Sequence, residues 1–450
     1  MQLDVYMGHR LVGWLNYDNT ANQFGFTYDP DWLLADDTFS LAPSLPMRVA
    51  NKPTAEAHSR AVRTFFENLL PEGKALDDAA ATYRVSKTSV AGLLAVLGNE
   101  TAGALRILPS TVKPELDKSE VALRPLPWEE LSERIRGRAQ LPFSVWDHKV
   151  RLSIAGFQDK LAVYQEAPGI WFLANGAYVA STHILKPEPS NPRLAGLTSN
   201  EFFCMRLAKA IGLPVAPVQL FHVPEPVLLI TRFDRRASNG TVQRLPAIDG
   251  CQALGLPVGS KYERPFGNSK DVRDIRTGAS LPQLFKMQSV AARPALEALA
   301  LLRWTIFQVL IGNTDAHAKN LTFLCGPGGL SLAPAYDLVA GLLYADDVVD
   351  DTYAMAIGDA FRPEDLSAYE WATFSHYANL KPLLVQRELA GMAQKVLTAL
   401  PKVEAEVTGE GASPEIVGQI ALQVRTEGAR QVEQAKAIPA MAALDHSGVN

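Results

Sequence analysis

IGNTDAHAKNL, Ile311 to Leu321, is the stretch from which the rest of this chain is read. In it Asp315 and Asn320 are separated by four residues, the D-x-x-x-x-N spacing of kinase catalytic loops. Phosphoryl transfer needs that pair for a physical reason. A carboxylate orients the attacking hydroxyl and accepts its proton, while an amide oxygen five positions on is a hard ligand for the Mg²⁺ that bridges the phosphates. Further along, LAPAYDLVA (Leu332 to Ala340) supplies Asp337 as a second and stronger metal ligand. Each residue also has a bland reading: Asp315 as the cap of a turn, and Asp337 as the cap of an apolar helix starting at Leu338. Their order behind one long apolar segment favours the kinase.

That segment, Ala295 to Gly312, carries Glu297 and Arg303, which makes it too short and too charged to span a bilayer and predicts a buried helix. Upstream, Lys186 ends the strand-like THILK, where it would reach the α- and β-phosphates, and Glu201 follows near the start of a helix, where it would orient that lysine. The competing readings are a solvated lysine and an acid placed at the positive end of its helix. Phe233 is a candidate adenine contact, or a core residue. RLSIAGFQDK, Arg151 to Lys160, follows a strand and would bend over the phosphates, with Gly156 and Gln158 as its nucleotide-side residues. It is neither a Walker A loop nor GxGxxG, and no HExxH or clustered Cys and His points to zinc.

Outward from these motifs, the pattern changes along the chain. Leu3 and Val5, Leu11 to Leu15, and Phe24, Phe26 and Tyr28 alternate as strands, with a turn at Gly8 and His9. Residues from about Ala55 to Val96 read as helical, and Gly103 to Leu108 as a strand. After a connective stretch with one helix from Pro127 to Arg138, strands are expected at Val150 to Ile154, Ile170 to Leu173 and Thr182 to Lys186. A helix follows from Asn200 to Ile211, then a hairpin, Val218 to Val223 with Val227 to Arg232. Beyond residue 237 helices dominate, the last opening at Ser413-Pro414. The predicted class is α+β: a two-lobed, protein-kinase-like fold with a β-rich N-terminal module and an all-helical C-terminal lobe. Its expected divisions are 1–110, 111–236 and 237–450.

A chain of 450 residues exceeds what one hydrophobic core usually serves. With 43 basic against 48 acidic residues the net charge is −5, which argues against a protein whose main work is gripping nucleic-acid phosphates. Cys204, Cys251 and Cys325 are odd in number and far apart, as reduced buried thiols are, and the N-terminus MQLDVYMGHR lacks a basic-then-apolar signal. The expected compartment is the cytoplasm.

The motifs together resemble the HipA family of bacterial toxin kinases. FFENLLPEG at Phe65 to Gly73 resembles its N-terminal signature, RLSIAGFQDK its phosphate-loop segment and STHILKPE its ATP-lysine strand. ITRFDRR at Ile230 to Arg236 resembles its hinge, GNTDAHAKNL its catalytic loop and PAYDL at Pro334 to Leu338 its metal-binding segment. The resemblance implies Asp315 as the catalytic aspartate, Asn320 and Asp337 as Mg²⁺ ligands, Lys186 as the ATP lysine and Phe233 as a hinge contact. It marks Ser153 for autophosphorylation, which ejects the phosphate loop. It also implies the toxin of a type II toxin–antitoxin pair, held by a small DNA-binding antitoxin, HipB, so that DNA is met only through the antitoxin. The family's characterised toxin phosphorylates an aminoacyl-tRNA synthetase, the glutamyl enzyme. Pro187 directly after the lysine and Thr231 in the hinge depart from the family pattern. The rival readings are a small-molecule phosphotransferase and a catalytically idle partner that tunes an antitoxin's DNA binding.

Overall fold

Leu3, Val5, Val12, Leu15, Phe24 and Phe26 are all buried, and they line one side of an antiparallel meander, Gln2–Met7, Arg10–Asp18 and Gln23–Tyr28. A fourth strand, Leu105–Pro109, pairs with the first, Val5 opposite Ile107, so the sheet closes on the far end of the N-terminal module. Between them run the helices Ala55–Glu67, Gly73–Tyr83 and Val90–Leu97. Thr54 opens the first of these by accepting the Ala57 N–H at 3.2 Å. Phe65 and Phe66 are buried edge-on to each other, and Phe66 reaches the sheet at Phe26, 5.6 Å between ring centres. The computed structural model describes residues 1–48, 53–112, 122–147, 149–151, 158–175, 180–238, 241–345 and 350–447.

Two compact units divide the chain. One comprises Met1–Pro187, Phe221–Val258 and Phe323–Leu330; the other comprises Glu188–Leu220, Gly259–Thr322 and Ser331–Asn450. The first unit holds, besides the N-terminal meander, a second sheet whose central strand is His183–Pro187. It is flanked by Leu161–Ala167 on one side and Pro226–Thr231 on the other, with Ile170–Asn175 and Ala122–Leu126 beyond. Leu161, Val163, Leu173, Leu185 and Leu229 face one way, into a core completed by Leu131 and Ile135 of the helix Trp128–Arg136 and by Trp146 and Phe143. Side chains alternate across a strand, so Lys186, next to Leu185 and opposite Leu228, points to the other face.

The second unit is built from helices. Leu197–Ala210, Pro294–Ile311, Ala368–Tyr377, Pro382–Gly409 and Pro414–Ser447 carry its core. The last two pack along each other. Pro294–Ile311 is long and apolar enough to cross a membrane, but most of it is buried inside the protein, with Leu302, Ile306, Phe307, Leu310 and Ile311 all fully enclosed. The expectation of a buried helix there holds. The region from 237 onward is not wholly helical as expected: short strands occur at Thr241–Arg244, Ala247–Asp249, Thr322–Gly326 and Gly329–Leu332. Three to five residues each, they sit at the short end of the window over which alternation can be recognised.

Candidate active site

The loop from Gly312 begins where its helix must stop. Gly312 adopts φ 64°, and the N–H of Asn313 reaches back to the Gln308 carbonyl at 2.9 Å, a left-handed helix ending. The positive φ favours glycine there, and a methyl would also press on the side-chain ends of Gln423 and Leu342, at 2.4 and 2.7 Å. Asn313, 1% exposed, then ties the site together. Its amide oxygen accepts the Asp315 N–H at 3.0 Å, and its amide nitrogen donates to Gln308 Oε1 at 2.8 Å and to the Asp337 carbonyl at 3.5 Å. One side chain thereby spans the two aspartates' backbones.

The Asp315 carboxylate is open to solvent, its side chain 56% exposed, with Oδ1 accepting from the Tyr262 phenol and lying 3.9 Å from His317 Nε2. Asn320 lies in the single turn Ala318–Asn320, and its Nδ2 donates to the Asp315 carbonyl at 2.7 Å. With the nitrogen so engaged, Oδ1 is the amide atom left to bind a cation. Tyr336, next to Asp337, donates to the Lys319 carbonyl at 2.8 Å and meets the Thr322 hydroxyl at 2.9 Å, which pins the metal-segment candidate to the loop.

Asp337 itself has φ 56°. Left-handed backbone is strained for most side chains and tolerated best by Gly, Asn and Asp. No α-helix starts at Leu338. The next turn is Gly341–Tyr344, entered from Ala340, whose N–H and carbonyl are both held by the Asn200 side chain at 2.8 and 3.1 Å. The helix-cap reading of Asp337 is therefore overturned. Among the described residues no group of three or more His, Cys, Asp or Glu forms a metal cage, and the pair of hard oxygen donors suits Mg²⁺, which keeps much of its water.

Lys186 lies in the first unit and is 5% exposed, so it is not the solvated lysine of the bland reading. Gln158 Nε2 donates to the Pro187 carbonyl at 3.4 Å, which links the end of the phosphate-loop candidate to the lysine strand. Ser153 and Gly156 lie outside the described residues. Glu201, in the helix Leu197–Ala210 of the second unit, is 1% exposed rather than sitting at a solvated helix end. That helix end is capped by Glu188, whose carboxylate accepts the N–H groups of Gly196 and Thr198.

Phe233 occupies a turn between Pro226–Thr231 and Arg235–Ser238 and is half-buried. Its neighbours Arg232, Asp234 and Arg235 are ions under cover. Asp234 accepts from Arg232, from Arg235 Nη1 at 2.8 Å and from the Gly103 N–H at 2.9 Å. Arg235 also donates to the carbonyls of Gly103 and Thr101, and Ser181 donates to Glu100 while accepting from Arg232. Burial opposes charge on Asp234, but the Arg232 and Arg235 guanidiniums outweigh it and hold the carboxyl far below the usual range. The same contest, won by Arg244, Arg232 and Arg235, lowers Glu100. Cys204, Cys251 and Cys325 form no disulfide, and burial pushes the Cys325 thiol up to about 12.

Asn313, Tyr262 and Tyr336 escaped the sequence reading. Asn313 stood in the deciding stretch itself, but its bond to the Asp337 carbonyl appears only once that residue is folded beside it.

A mixed sheet-and-helix architecture of this kind is the α+β, protein-kinase-like class. The chain matches the HipA N-terminal domain over residues 3–108 and the HipA-like C-terminal domain over residues 152–403. It is 37% identical to the serine/threonine-protein kinase toxin HipA of Shewanella oneidensis over 90% of this chain and 89% of that one. It is also 34% identical to the putative kinase Y4mE of Sinorhizobium fredii, over 89% and 91% of the two chains. Its fold superposes on the toxin–antitoxin complex of Shewanella oneidensis HipA, HipB and operator DNA with a TM-score of 0.84 at 34% identity, covering 97% of this chain and 99% of that one. The chain belongs to the HipA family of kinase toxins, and is accordingly a serine/threonine-protein kinase.

Proposed function

We propose that this kinase transfers the γ-phosphoryl group of ATP to a protein hydroxyl with Asp315 as the base, and that it is the toxin of a type II toxin–antitoxin pair. In this reading Asp315 orients the acceptor hydroxyl and takes its proton, the amide oxygen of Asn320 and the carboxylate of Asp337 hold Mg²⁺, and Lys186 contacts the phosphates. Bound Mg²⁺ would neutralise charge on the phosphates as the bond to the leaving oxygen breaks. Phe233 lies against adenine, and Gly156 and Gln158 belong to the loop over the phosphates. The observation that carries the reading is the Asn313 side chain, which holds Asp315 and Asp337 to one another while the Asn320 amide points its nitrogen inward.

The restraining partner would be a HipB-type antitoxin, as the family likeness suggests, with DNA met only through it. A chain of net charge −5 is suited to that indirect role. The acceptor would be a translation-related protein, an aminoacyl-tRNA synthetase such as the glutamyl enzyme, in the cytoplasm and away from membranes. Ser153 is the proposed autophosphorylation site. Labelled ATP incubated with the protein and a cell lysate tests the activity. Labelled protein bands that vanish with Asp315→Asn are the expected result, while label confined to small molecules would replace this reading with that of a small-molecule phosphotransferase.

A further inference from the structure

The Asp315 carboxylate is largely exposed, and an exposed carboxylate rotates freely unless something holds it. Tyr262 does. Its phenol donates to Asp315 Oδ1, and its ring stands edge-on to His317, 5.0 Å between ring centres at 89°. His317 is itself buried, with only 7% of its side chain exposed. The tyrosine is thus braced by the catalytic loop while it grips the loop's carboxylate.

Its backbone is fixed from three directions. The carbonyl of Lys261 accepts the N–H of Ala318 at 3.1 Å, within the same loop. Glu263 donates its N–H to the Ala354 carbonyl at 2.9 Å, and its buried carboxylate accepts from Arg276 and from the Ala356 N–H at 2.8 Å. The segment closes on itself through Gly278 N–H to the Glu263 carbonyl at 3.1 Å and Ala279 N–H to the Ser260 carbonyl at 2.8 Å. That closure is so tight that a methyl on Gly278 would lie 1.8 Å from the Tyr262 carbonyl oxygen. A surface loop needs no such bracing to stay folded at one phenol.

We infer that Tyr262 is a positioning residue for phosphoryl transfer: by donating to Oδ1 it holds the Asp315 carboxylate in one orientation toward the acceptor hydroxyl. This rests on the assignment of Asp315 as the base. A base misplaced by a fraction of an ångström loses rate without losing substrate affinity. Tyr262→Phe keeps the ring against His317 and removes only the donor. It should lower kcat for labelled-phosphate transfer into protein by about ten- to a hundredfold, with KM for ATP, the Mg-ATP thermal shift and the melting temperature unchanged. Wild-type kcat in Tyr262→Phe overturns the inference, as does a loss of rate accompanied by a raised KM or a lowered melting temperature, which marks a merely structural role. Asp315→Asn run alongside separates the two claims. If it stays active the base assignment fails; if it is inactive while Tyr262→Phe is normal, only the positioning role fails.

Discussion

Arg232 grips Asp234 with two parallel hydrogen bonds, Nε to Oδ1 at 2.9 Å and Nη2 to Oδ2 at 2.7 Å, although neither residue is more than 6% exposed. Bidentate geometry of this kind is what makes a covered ion pair tenable, because each charge trades its water for matched partners. Asp234→Asn removes the negative charge and leaves Arg232 and Arg235 facing each other under cover. The variant should lose about 3 kcal/mol of stability at neutral pH. The sign with pH follows from the lowered carboxyl. Its contribution is complete above the ordinary aspartate range near pH 4 and is lost as the pH falls below it. Urea unfolding from pH 7 to pH 3 should therefore show the gap between wild type and variant shrinking in acid. A gap that is constant with pH would contradict this.

Asp337 offers a separate contrast. Its left-handed backbone suits Asn almost as well as Asp but strains Ala. Asp337→Asn should therefore melt like the wild type while losing at least about a hundredfold in phosphate transfer, since the proposed metal ligand becomes neutral. Asp337→Ala should lose the same activity and, in addition, about 1 kcal/mol of stability. Calorimetry beside a transfer assay distinguishes the two. Near-wild-type turnover in Asp337→Asn would remove the residue from the site.

Lys186 gives the nucleotide test. A ligand that binds only the folded protein stabilises it by about 2.7 kcal/mol at a hundred times its Kd. The melting temperature should accordingly rise with millimolar Mg-ATP, and Lys186→Ala should show a smaller rise. A melting curve that ignores Mg-ATP would leave the kinase without a nucleotide site here.

Phosphate on Ser153 would add roughly −1.5 to −2 charges beside those of ATP. Incubation with Mg-ATP should place one phosphate there, detected by tandem mass spectrometry, and the modified protein should bind nucleotide more weakly. Phosphate elsewhere with Ser153 untouched, or unimpaired ATP binding by the modified form, would refute the switch.

The strands of the amino-terminal meander were legible because Leu3, Val5, Phe24 and Phe26 repeat with period two, and the buried helix because Ala295 to Gly312 is a long, mostly apolar run with only Glu297 and Arg303 charged. Asp315, Asn320 and Asp337 were legible as a spacing. What the spacing could not carry was how each is held. Tyr262 lies far upstream in a segment with no periodic pattern, and its hydrogen bond to Asp315 is a purely tertiary event. The burial of Lys186 ran against the usual exposure of lysine and could not be read from the strand pattern, which places it only on the face opposite Leu185. The short strands after residue 237 were lost because three to five residues without clear alternation, set among helical segments, carry little signal.

Gly103 and Thr101, near the end of the region matched by the N-terminal family model, supply an N–H to Asp234 and carbonyls to Arg235. The border between the two matched regions is thus not a seam along which the chain can be divided. A gene fragment starting after residue 110 would encode RFDRR without the groups that solvate it from within. Loss of the amino-terminal meander together with the strand that closes it would leave those covered ions to find other donors and acceptors.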